Sequence, residues 1–410
     1  MFKTLRYYDD KKLFKSQVKI TYNKNMKILL GLPEYPPYTI GGGGAVYQNL
    51  VKQYQQLGHE VVVIYGYFPT RRWNEKIKIT IEKGITYYQV PEIPIPSFLP
   101  YLKIRLPCNL HSIRQLNAII NKEKVEIAHL HGYGFIFIDI LAYLLQNKHL
   151  PYVFTIHGWP QRQKQSNVIV KIIWYLYEKI LAKKTLFRAI KVTTVSQFLK
   201  SQLPKPIQTK TSVIPNGFDP QKYPANLVGF DIRRRYALPP EEIIFLSLGR
   251  IAYLKGLQLV MNKLPELRKK LSLTYLIAGE DEGYKNELLK LRQKLKLEST
   301  VKFIGQLDEV TKNYFLSQAD VVAIPSLSEG FSLVALEAMY YRKLILYGQS
   351  PAVRELIKDY SKKISLVEKN LVSKINQTMR MSTNFDQKKF NWPVIAREYV
   401  KVLRDSQIIK

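Results

Sequence analysis

Cysteine is nearly absent from this chain of 410 residues, in which Cys108 has no second cysteine to pair with. An intramolecular disulfide framework is therefore excluded, and a reducing compartment such as the cytoplasm is expected. The sequence also has no cluster of Cys and His with the spacing of metal ligands, and it has no Asp-x-Asp pair. Neither a resident metal ion nor another cofactor is predicted.

Long apolar runs are missing too. A spanning helix needs about 18 or more apolar residues in succession, whereas the best candidate, Phe135 to Leu145, has 11 residues and contains Asp139. We therefore expect no membrane-spanning helix. Residues 1–25 carry scattered charges without the apolar core of a secretory signal, and we interpret them as an N-terminal extension ahead of the first strand.

Acidic residues are scarce, since 32 Asp and Glu stand against 63 Lys and Arg and leave a net charge of +31. This excess is far greater than solubility requires and implies an anionic partner. Nucleotide phosphates, a membrane surface and nucleic acid are the candidates. Because no recognisable nucleic-acid-binding module is present, nucleic acid is not expected.

Strands and helices alternate along the chain, a pattern typical of α/β domains in which helices cover both faces of a parallel sheet. The length exceeds what one hydrophobic core usually organises, so two domains are expected. The alternation breaks at the Asn-Gly turn after Pro215 and resumes at Glu242. The proline-rich residues 91–107 are predicted to form a loop without regular structure.

The predicted strands are Lys27–Leu32, Val61–Tyr65, Glu126–Leu130, Tyr152–Ile156, Ala189–Thr194, Thr211–Ile214, Ile243–Leu248, Leu273–Ala278, Val301–Ile304, Val321–Ile324 and Leu344–Tyr347. A helix is predicted over Ala45–Leu57, with Gly58 as its C-terminal stop.

Two glutamates, Glu329 and Glu337, flank a predicted junction between a strand and a helix. The strand is Val321–Ile324, and the helix, Phe331–Tyr341, has no internal Gly or Pro. Ligands bind at such junctions in open α/β sheets. Helix amides suit phosphate oxygens, and a carboxylate accepts hydrogen bonds from sugar hydroxyls. The junction therefore predicts a site for a nucleotide sugar.

Four further motifs accompany the segment EGFSLVALE, which spans Glu329–Glu337. They are the glycine run Gly41, Gly42, Gly43 and Gly44, His157 in FTIHG, VIPNGFD over Val213–Asp219 and LGRIAYLKG over Leu248–Gly256. In this order they resemble the retaining glycosyltransferases of family 4, which have the GT-B fold of two facing Rossmann-like domains. The resemblance implies an acceptor domain over 26–216, a donor domain over 217–391 and a final helix, within 392–410, that returns to the first domain.

The resemblance also implies a role for each matched residue. Arg250 and Lys255 hold the donor diphosphate, whose charge must be stabilised as the glycosidic bond breaks. Glu329 holds the transferred sugar, Glu337 accepts hydrogen bonds from the ribose hydroxyls, and His157 hydrogen-bonds a sugar hydroxyl. The remaining donor-site residues are expected to be Asn216, Gly249, Gly279, Glu280, Gly330, Phe331 and Ser332.

Structural interpretations of these motifs stay open. The glycine run could be a flexible linker, although absent side chains between a strand and a helix also let amides approach a phosphate or an acceptor sugar. His157 could be a core histidine, and Glu337 could be a surface carboxylate. The run is not a G-x-G-x-x-G fingerprint, which argues against a dinucleotide cofactor.

The sequence departs from the family pattern after Glu337, where AMYYRKLILYGQS lacks the usual small residues and an Asp. Residues 348–350 occupy the loop that contacts the donor in the family, so the donor sugar is left open. A retaining, metal-independent hexosyltransferase is our interpretation. The alternatives are a nucleotide-sugar epimerase of similar fold and a basic binding protein without catalysis. A glycoside hydrolase is disfavoured because both glutamates lie beside the proposed diphosphate site.

Residues 161–191 contain eight Lys or Arg and one Glu, interleaved with apolar residues and with Trp174, Tyr175 and Tyr177. Such a helix suits the surface of an anionic membrane, and a covering helix with a basic rim is the alternative. Lipid-linked acceptors are common among similar enzymes. We therefore expect a glycan or lipid-linked acceptor and peripheral attachment to the inner face of the cell membrane.

Overall fold

The computed structural model describes residues 25–37, 42–67, 76–94, 105–107, 110–159, 168–223, 229–383 and 385–408. These residues form two α/β domains, each built on a mainly parallel sheet. The predicted fold class is thus confirmed. The predicted extension, apart from Asn25, lies outside the described residues, as do Gly41 and residues 161–167.

The first domain contains a nine-stranded sheet. Its strands are β1 (Lys27–Leu32), β2 (Glu60–Tyr67), β3 (Lys78–Glu82), β4 (Ile85–Pro94), β5 (Arg105–Pro107), β6 (Ile127–His131), β7 (Tyr152–Ile156), β8 (Lys191–Thr194) and β9 (Thr211–Val213). Their order is β3-β4-β2-β1-β6-β7-β8-β9, with β5 paired to β4. Only β3 and β5 run antiparallel to their neighbour within the described sheet.

The helices of this domain are α1 (Gly43–Gln56), α2 (Leu110–Glu123), α3 (Ile136–Asn147), α4 (Val168–Tyr177), α5 (Lys183–Arg188), α6 (Gln197–Gln202) and α7 (Lys205–Gln208). A π-helical turn over Glu178–Ala182 joins α4 to α5. Alternate residues of β1 enter different cores: Leu29 packs in a cluster that includes residues of α3, whereas Ile28 and Leu30 pack with residues of α1. Both faces of the sheet are therefore covered.

The second domain contains a six-stranded sheet, and all of its pairings are parallel. Its elements are α8 (Ile232–Tyr236), β10 (Ile243–Leu248), α9 (Leu257–Leu267), β11 (Leu273–Ala278), α10 (Lys285–Lys294), β12 (Val301–Gly305), α11 (Glu309–Gln318), β13 (Val321–Ile324), α12 (Leu333–Tyr340), β14 (Leu344–Tyr347), α13 (Pro351–Leu356), β15 (Lys363–Ser365) and α14 (Leu371–Met379).

The strand order of the second sheet, β12-β11-β10-β13-β14-β15, reverses direction beside β10. Ligands bind at such a switch point, where the loops after adjacent strands separate to opposite faces of the sheet. The loop after β10 carries Arg250 and Lys255, and the loop after β13 carries Glu329. The topology therefore brings residues from distant motifs to one edge of the sheet.

The last helix, α15 (Trp392–Ile408), packs on the first domain. Its residues Trp392, Ile395 and Tyr399 belong to the core that contains Ile28 and Leu30. The two connections between the domains run side by side, because the backbone N–H of Phe218 donates to the carbonyl of Phe390 at 2.6 Å. No described helix combines the length and the apolar character that a membrane span requires.

The prediction of a structureless loop over residues 91–107 is wrong at both ends. β4 continues to Pro94, and β5 over Arg105–Pro107 pairs with it in antiparallel register. Proline is tolerated here because the pairing lies at the periphery of the sheet, where fewer ladder hydrogen bonds are needed. The segment between these strands, residues 95–104, lies outside the described residues.

Candidate active site

A cleft of about 2060 Å³ lies between the domains. Small-molecule sites typically have about 300–1,000 Å³, so this cleft has room for two substrates. The predicted site residues that line it are Gly42, Gly43, Gly44, His157, Asn216, Gly249, Arg250, Lys255, Gly279, Glu280, Glu329, Gly330, Phe331, Ser332 and Glu337. The structure thus brings together every predicted site residue that it describes.

Glu329 is held by two donors in the second domain. Lys255 Nζ lies 2.8 Å from Glu329 Oε1, and Ser326 Oγ donates to the same oxygen at 2.7 Å. The carboxylate side chain is only 9% exposed. The two residues were predicted from separate motifs, and they meet because β10 and β13 are neighbours in the sheet.

Arg250 pairs with a carboxylate that the sequence analysis did not single out. Its Nη1 lies 2.6 Å from Glu282 Oε1, while 42% of the arginine side chain remains exposed. A side chain on Gly279 would place its Cβ 1.9 Å from the carbonyl oxygen of Gly249. The loops after β10 and β11 therefore need this glycine in order to approach, and their approach presents Arg250 to the cleft.

Glu337, in α12 of the second domain, is buried and lines the cleft. Its Oε1 accepts hydrogen bonds from Tyr223 OH and from Lys312 Nζ, both at 2.8 Å. Burial, reinforced by the charge of Glu337, raises the pKa of Tyr223 well above its usual value, so this hydroxyl remains a donor. Burial acts to lower the pKa of Lys312, but the carboxylates of Glu337 and Glu309 outweigh it and raise that pKa.

Tyr223 and Lys312 were missed by the sequence analysis. They lie 114 and 25 residues from Glu337 in the chain, and no local spacing connects them to it. Only the packing of α11, which carries Lys312, and of the segment around Tyr223 against α12 shows these contacts. Glu337 is therefore not a surface carboxylate. It is buried, hydrogen-bonded and faces the cleft.

His157, on the first domain, is a half-buried imidazole at the end of a group whose other members, His131 and His129, are buried. His157 Nε2 lies 2.8 Å from His131 Nδ1, and the two rings stack with centroids 5.1 Å apart. Burial lowers the pKa of His157 to about 4 and that of His129 to about 3. It also lowers the pKa of His131 well below the usual value. These rings are therefore neutral near pH 7 and act through hydrogen bonds.

The sequence carried a signal for this group that the analysis did not use. His129 and His131 alternate with Leu130 in β6, so both imidazoles project to the same face of the sheet. His129 Nδ1 lies 2.8 Å from Tyr54 OH, and its Nε2 lies 2.6 Å from Thr155 Oγ1. His157 is consequently a cleft residue anchored to a buried polar network.

The two halves of the cleft touch through glycines. A Cβ on Gly330 would lie 2.0 Å from the carbonyl oxygen of His157, and Ser196 Oγ donates to the carbonyl of Gly330 at 2.8 Å. A Cβ on Gly42 would lie 2.7 Å from Leu333 Cδ1. The described part of the glycine run therefore contacts the start of α12 and is more than a linker.

The start of α12 lies two residues later than predicted, at Leu333. Ser332 is its N-cap, and the Ser332 hydroxyl accepts a hydrogen bond from the Ala335 amide at 3.3 Å. Gly330 and Phe331 stay in the loop as a result. Their position keeps the loop backbone beside Glu329, at the end of the helix that favours anions.

Two family models match successive parts of the chain. The model described as Glycosyltransferase Family 4 matches residues 40–222, and the model described as Glycosyl transferases group 1 matches residues 230–389. Together they extend over most of both domains. The chain is a GT-B glycosyltransferase of the family 4 type.

Relatives and solved structures agree with this assignment. An uncharacterized glycosyltransferase of Methanocaldococcus jannaschii is 26% identical over 403 residues, which cover 92% of this chain and 98% of the relative. Sucrose-phosphate synthase from Thermosynechococcus elongatus has a TM-score of 0.69 at 16% identity, with 93% and 99% of the chains covered. HepE from Anabaena, solved with UDP and glucose, has a TM-score of 0.65 at 18% identity, with 93% and 100% covered. At these identities the solved structures show the fold.

The loop after β14, where this glycosyltransferase departs from the family pattern, lies outside the lining of the cleft. A Cβ on Gly348 would lie 2.4 Å from the carbonyl oxygen of Pro325, and the Ser350 amide donates to the carbonyl of Ser326 at 3.0 Å. Glu355, in α13, accepts hydrogen bonds from the amides of Gln197 and Phe198 at 2.8 and 2.9 Å. This region supports the loop that carries Glu329 and joins the domains.

Arg250, Lys255 and Lys312 of the second domain all line the cleft of the glycosyltransferase, as does Lys222. Among the described residues, no group of three or more His, Cys, Asp or Glu side chains is arranged to hold a metal ion. The arrangement places cations that can bind an anion in one half of the cleft and the neutral imidazole of His157, which can form hydrogen bonds, in the other.

Proposed function

We propose that this protein transfers a hexose from a nucleoside diphosphate sugar to an acceptor hydroxyl with retention of the anomeric configuration. The observation that carries the proposal is the meeting of Arg250, Lys255 and Glu329 at the switch point of the second sheet. HepE has been solved with UDP and with UDP-glucose, which supports a nucleotide sugar as the donor.

In the proposed reaction Arg250 and Lys255 bind the donor diphosphate. Glu282 and Glu329 now neutralise these cations at 2.6 and 2.8 Å, and phosphate oxygens would compete for them. The cations then stabilise the negative charge that develops when the bond between the sugar and the phosphate breaks. Glu329 is left beside the transferred sugar, whose hydroxyls donate hydrogen bonds to it.

Glu337 is the proposed ribose ligand. Tyr223 and Lys312 fix the carboxylate through Oε1, and a carboxylate keeps further lone pairs for ribose hydroxyls. His157 is proposed to hydrogen-bond a hydroxyl of the transferred sugar as a neutral imidazole, since burial lowers its pKa to about 4. Asn216 and the backbone around Gly249, Gly279, Glu280 and Ser332 would complete the donor site.

Retention follows in this proposal from attack on the face that the leaving group vacates. The acceptor oxygen bonds to the anomeric carbon, the bond from that carbon to the phosphate oxygen breaks, and the acceptor proton passes to the departing phosphate. No protein base is required for this step. The chain's contribution is to orient both substrates and to stabilise the phosphate charge.

The acceptor is proposed to be lipid-linked or to lie at a membrane surface. Ile172, Tyr175, Leu176 and Ile180 are exposed apolar residues of α4 and the π-helical turn, and Lys179 and Lys184 are exposed beside them. We call these six residues the outer patch. Apolar and basic residues on one helical surface favour an anionic bilayer.

Trp174 and Tyr177 do not belong to the outer patch, which corrects their grouping with Tyr175 in the sequence analysis. Trp174 lines the cleft, and Tyr177 is buried with its hydroxyl donating to Asp139. The reason is helical geometry, because residues one and two positions from Tyr175 point to other faces of the same helix. The proposed membrane surface is therefore smaller than the sequence indicates.

A thermal-shift panel of nucleotide sugars tests the proposed function. One nucleotide sugar should raise the melting temperature selectively, and release of its nucleotide should depend on an added acceptor. NMR of the product should show the anomeric configuration of the donor. Donor turnover without any acceptor would instead identify an epimerase, and no stabilisation by any nucleotide sugar would contradict the proposal.

Metal independence is part of the same proposal, because Arg250, Lys255 and the start of α12 supply the positive potential at the phosphate. Activity should survive EDTA. Complete loss on chelation, with recovery on adding Mg²⁺ or Mn²⁺, would show that the cations of the chain are insufficient.

A further inference from the structure

Three tryptophans line the cleft among the described residues: Trp392 is a buried residue of α15, whereas Trp159 and Trp174 form part of the wall on the first domain. Trp159 stacks on Tyr133 with ring centroids 4.5 Å apart and planes inclined by 12°. Trp174 lies over Gly134, where an added Cβ would be 3.2 Å from Trp174 Cη2, and it meets Tyr177 edge-on at 5.4 Å. Packing against Tyr133, Gly134 and Tyr177 thus holds both indoles in the wall.

A buried carboxylate lies in the same wall. Glu178 is the first residue of the π-helical turn, is 4% exposed, lines the cleft, and accepts a hydrogen bond from Tyr133 OH at 3.0 Å through Oε1. π-Helical turns occur frequently at functional sites, where the extra residue redirects a side chain. A carboxylate in an apolar wall is costly unless it is hydrogen-bonded, and Tyr133 supplies such a bond. Glu178 therefore presents a polar acceptor group beside two indoles.

We propose that Trp159, Trp174 and Glu178 form the acceptor subsite and that its ligand is an uncharged pyranosyl residue. This inference rests on the proposed glycosyl transfer. The electron-poor C–H groups of a pyranose ring suit the negative face of an indole, and sugar hydroxyls can donate to Glu178. A pyranose offers C–H groups to the indoles and hydroxyl donors to the carboxylate, whereas an acyl chain offers only the first, which favours sugar over acyl chain at this wall.

The subsite is close to the proposed reaction centre. Trp159 follows His157 by two residues, so their Cα atoms are at most about 7 Å apart. The carbonyl of His157 contacts Gly330, which is adjacent to Glu329. A sugar on Trp159 would therefore lie next to the sugar that Glu329 holds.

Saturation-transfer NMR with methyl glycosides tests the subsite directly. The probes are the methyl pyranosides of glucose, galactose, mannose and N-acetylglucosamine, each titrated against the full chain without donor. The variants are Trp159→Leu, Glu178→Gln and the control Tyr175→Leu, which removes an exposed aromatic ring of α4. The thermal shift produced by UDP is recorded for each variant in order to report folding and the donor site separately.

At least one glycoside should bind saturably to the unmodified chain. Trp159→Leu and Glu178→Gln should each weaken it by about tenfold, as expected for loss of an aromatic contact or a charge-assisted hydrogen bond. Tyr175→Leu should leave the affinity unchanged. The UDP shift should persist in all three variants.

Absence of saturable binding by every glycoside would overturn the subsite, and so would equal weakening by Tyr175→Leu and Trp159→Leu. If UDP still stabilises the protein in those cases, the proposed donor site survives the failure. If glycosides bind through Trp159 but UDP produces no shift, the subsite is supported and the proposed donor chemistry fails instead.

Discussion

The two walls of the cleft differ in charge. The wall on the second domain contains four ion pairs among the described residues, Arg250–Glu282, Lys255–Glu329, Lys312–Glu337 and Lys312–Glu309. The wall on the first domain is lined mainly by glycines, aromatic rings and the neutral His157, and its charged residues are Glu34, Glu178 and Lys183. The comparison teaches that one cleft can provide a surface dense in ion pairs for a diphosphate and a mainly aromatic surface for a sugar, with the proposed reaction centre where the two meet.

Removing a charged side chain from the wall on the second domain is expected to have the largest effect. Arg250→Ala and Glu329→Ala should each lower turnover by at least about a hundredfold, because each removes a contact that strengthens as phosphate charge develops or the sugar is displaced. Steady-state nucleotide release measures the effect. Lys290→Ala, which removes an exposed ion pair with Glu287, is the control and should leave turnover intact. Unaltered turnover in both cleft variants would contradict the assignment of Arg250 and Glu329 to the active site.

Glu337→Ala should act on donor binding more than on turnover. The carboxylate is a ground-state ligand of the ribose in the proposal, and loss of a charge-assisted hydrogen bond corresponds to about a tenfold rise in the donor KM. Glu309→Ala removes the exposed partner of the same Lys312 and should have a much smaller effect. A fall in kcat with an unchanged KM would argue that Glu337 acts in the chemical step.

The outer patch offers a test on the other domain. Lys179→Glu together with Lys184→Glu should reduce flotation with anionic liposomes by about tenfold or more, because each basic residue near such a surface contributes about 1 kcal/mol. Binding should also weaken as salt rises. Lys290→Glu with Lys294→Glu, exposed on α10 of the second domain, is the matched control. Equal partition into neutral and anionic vesicles would contradict the membrane proposal, and the outer patch would then be an ordinary basic rim of the first domain.

The neutral histidines of the first wall predict a pH-dependent stability. Burial lowers the pKa of His129 to about 3 and that of His157 to about 4, so between these values and the unfolded value of about 6.5 the unfolded chain binds more protons. The melting temperature should therefore fall as pH decreases from about 6.5 to 4. His131→Asn should flatten this dependence, and the exposed His149→Gln should not. A stability that is flat over this interval would contradict neutral burial.

Much of the fold could be predicted because buried parallel strands appear as continuous apolar runs. Six strands, among them β1, β10 and β13, have the predicted bounds. β3 was missed because every residue of it is exposed, and β5 because proline-rich edge segments carry no apolar alternation. Edges of a sheet are decided by tertiary pairing more than by local pattern.

The site residues divide in the same way, into those that a local sequence motif predicts and those that depend on tertiary packing. Arg250, Lys255 and Glu329 could be predicted since each stands in a short motif at a strand end. Lys312 and Tyr223 could not, because their contacts with Glu337 depend on how α11 and the segment around Tyr223 pack against α12 in the folded domain. Packing of α4 likewise turns Trp174 into the cleft and leaves Tyr175 outside.

Calorimetric titration with UDP tests the division between the walls most directly. We compare the unmodified chain with Arg250→Ala on the charged wall and Trp159→Leu on the aromatic wall. The account predicts that Arg250→Ala weakens UDP binding by at least about tenfold, as expected for loss of a phosphate-binding arginine, and that Trp159→Leu leaves the affinity unchanged. Unchanged affinity in Arg250→Ala, or equal loss in both variants, would contradict it.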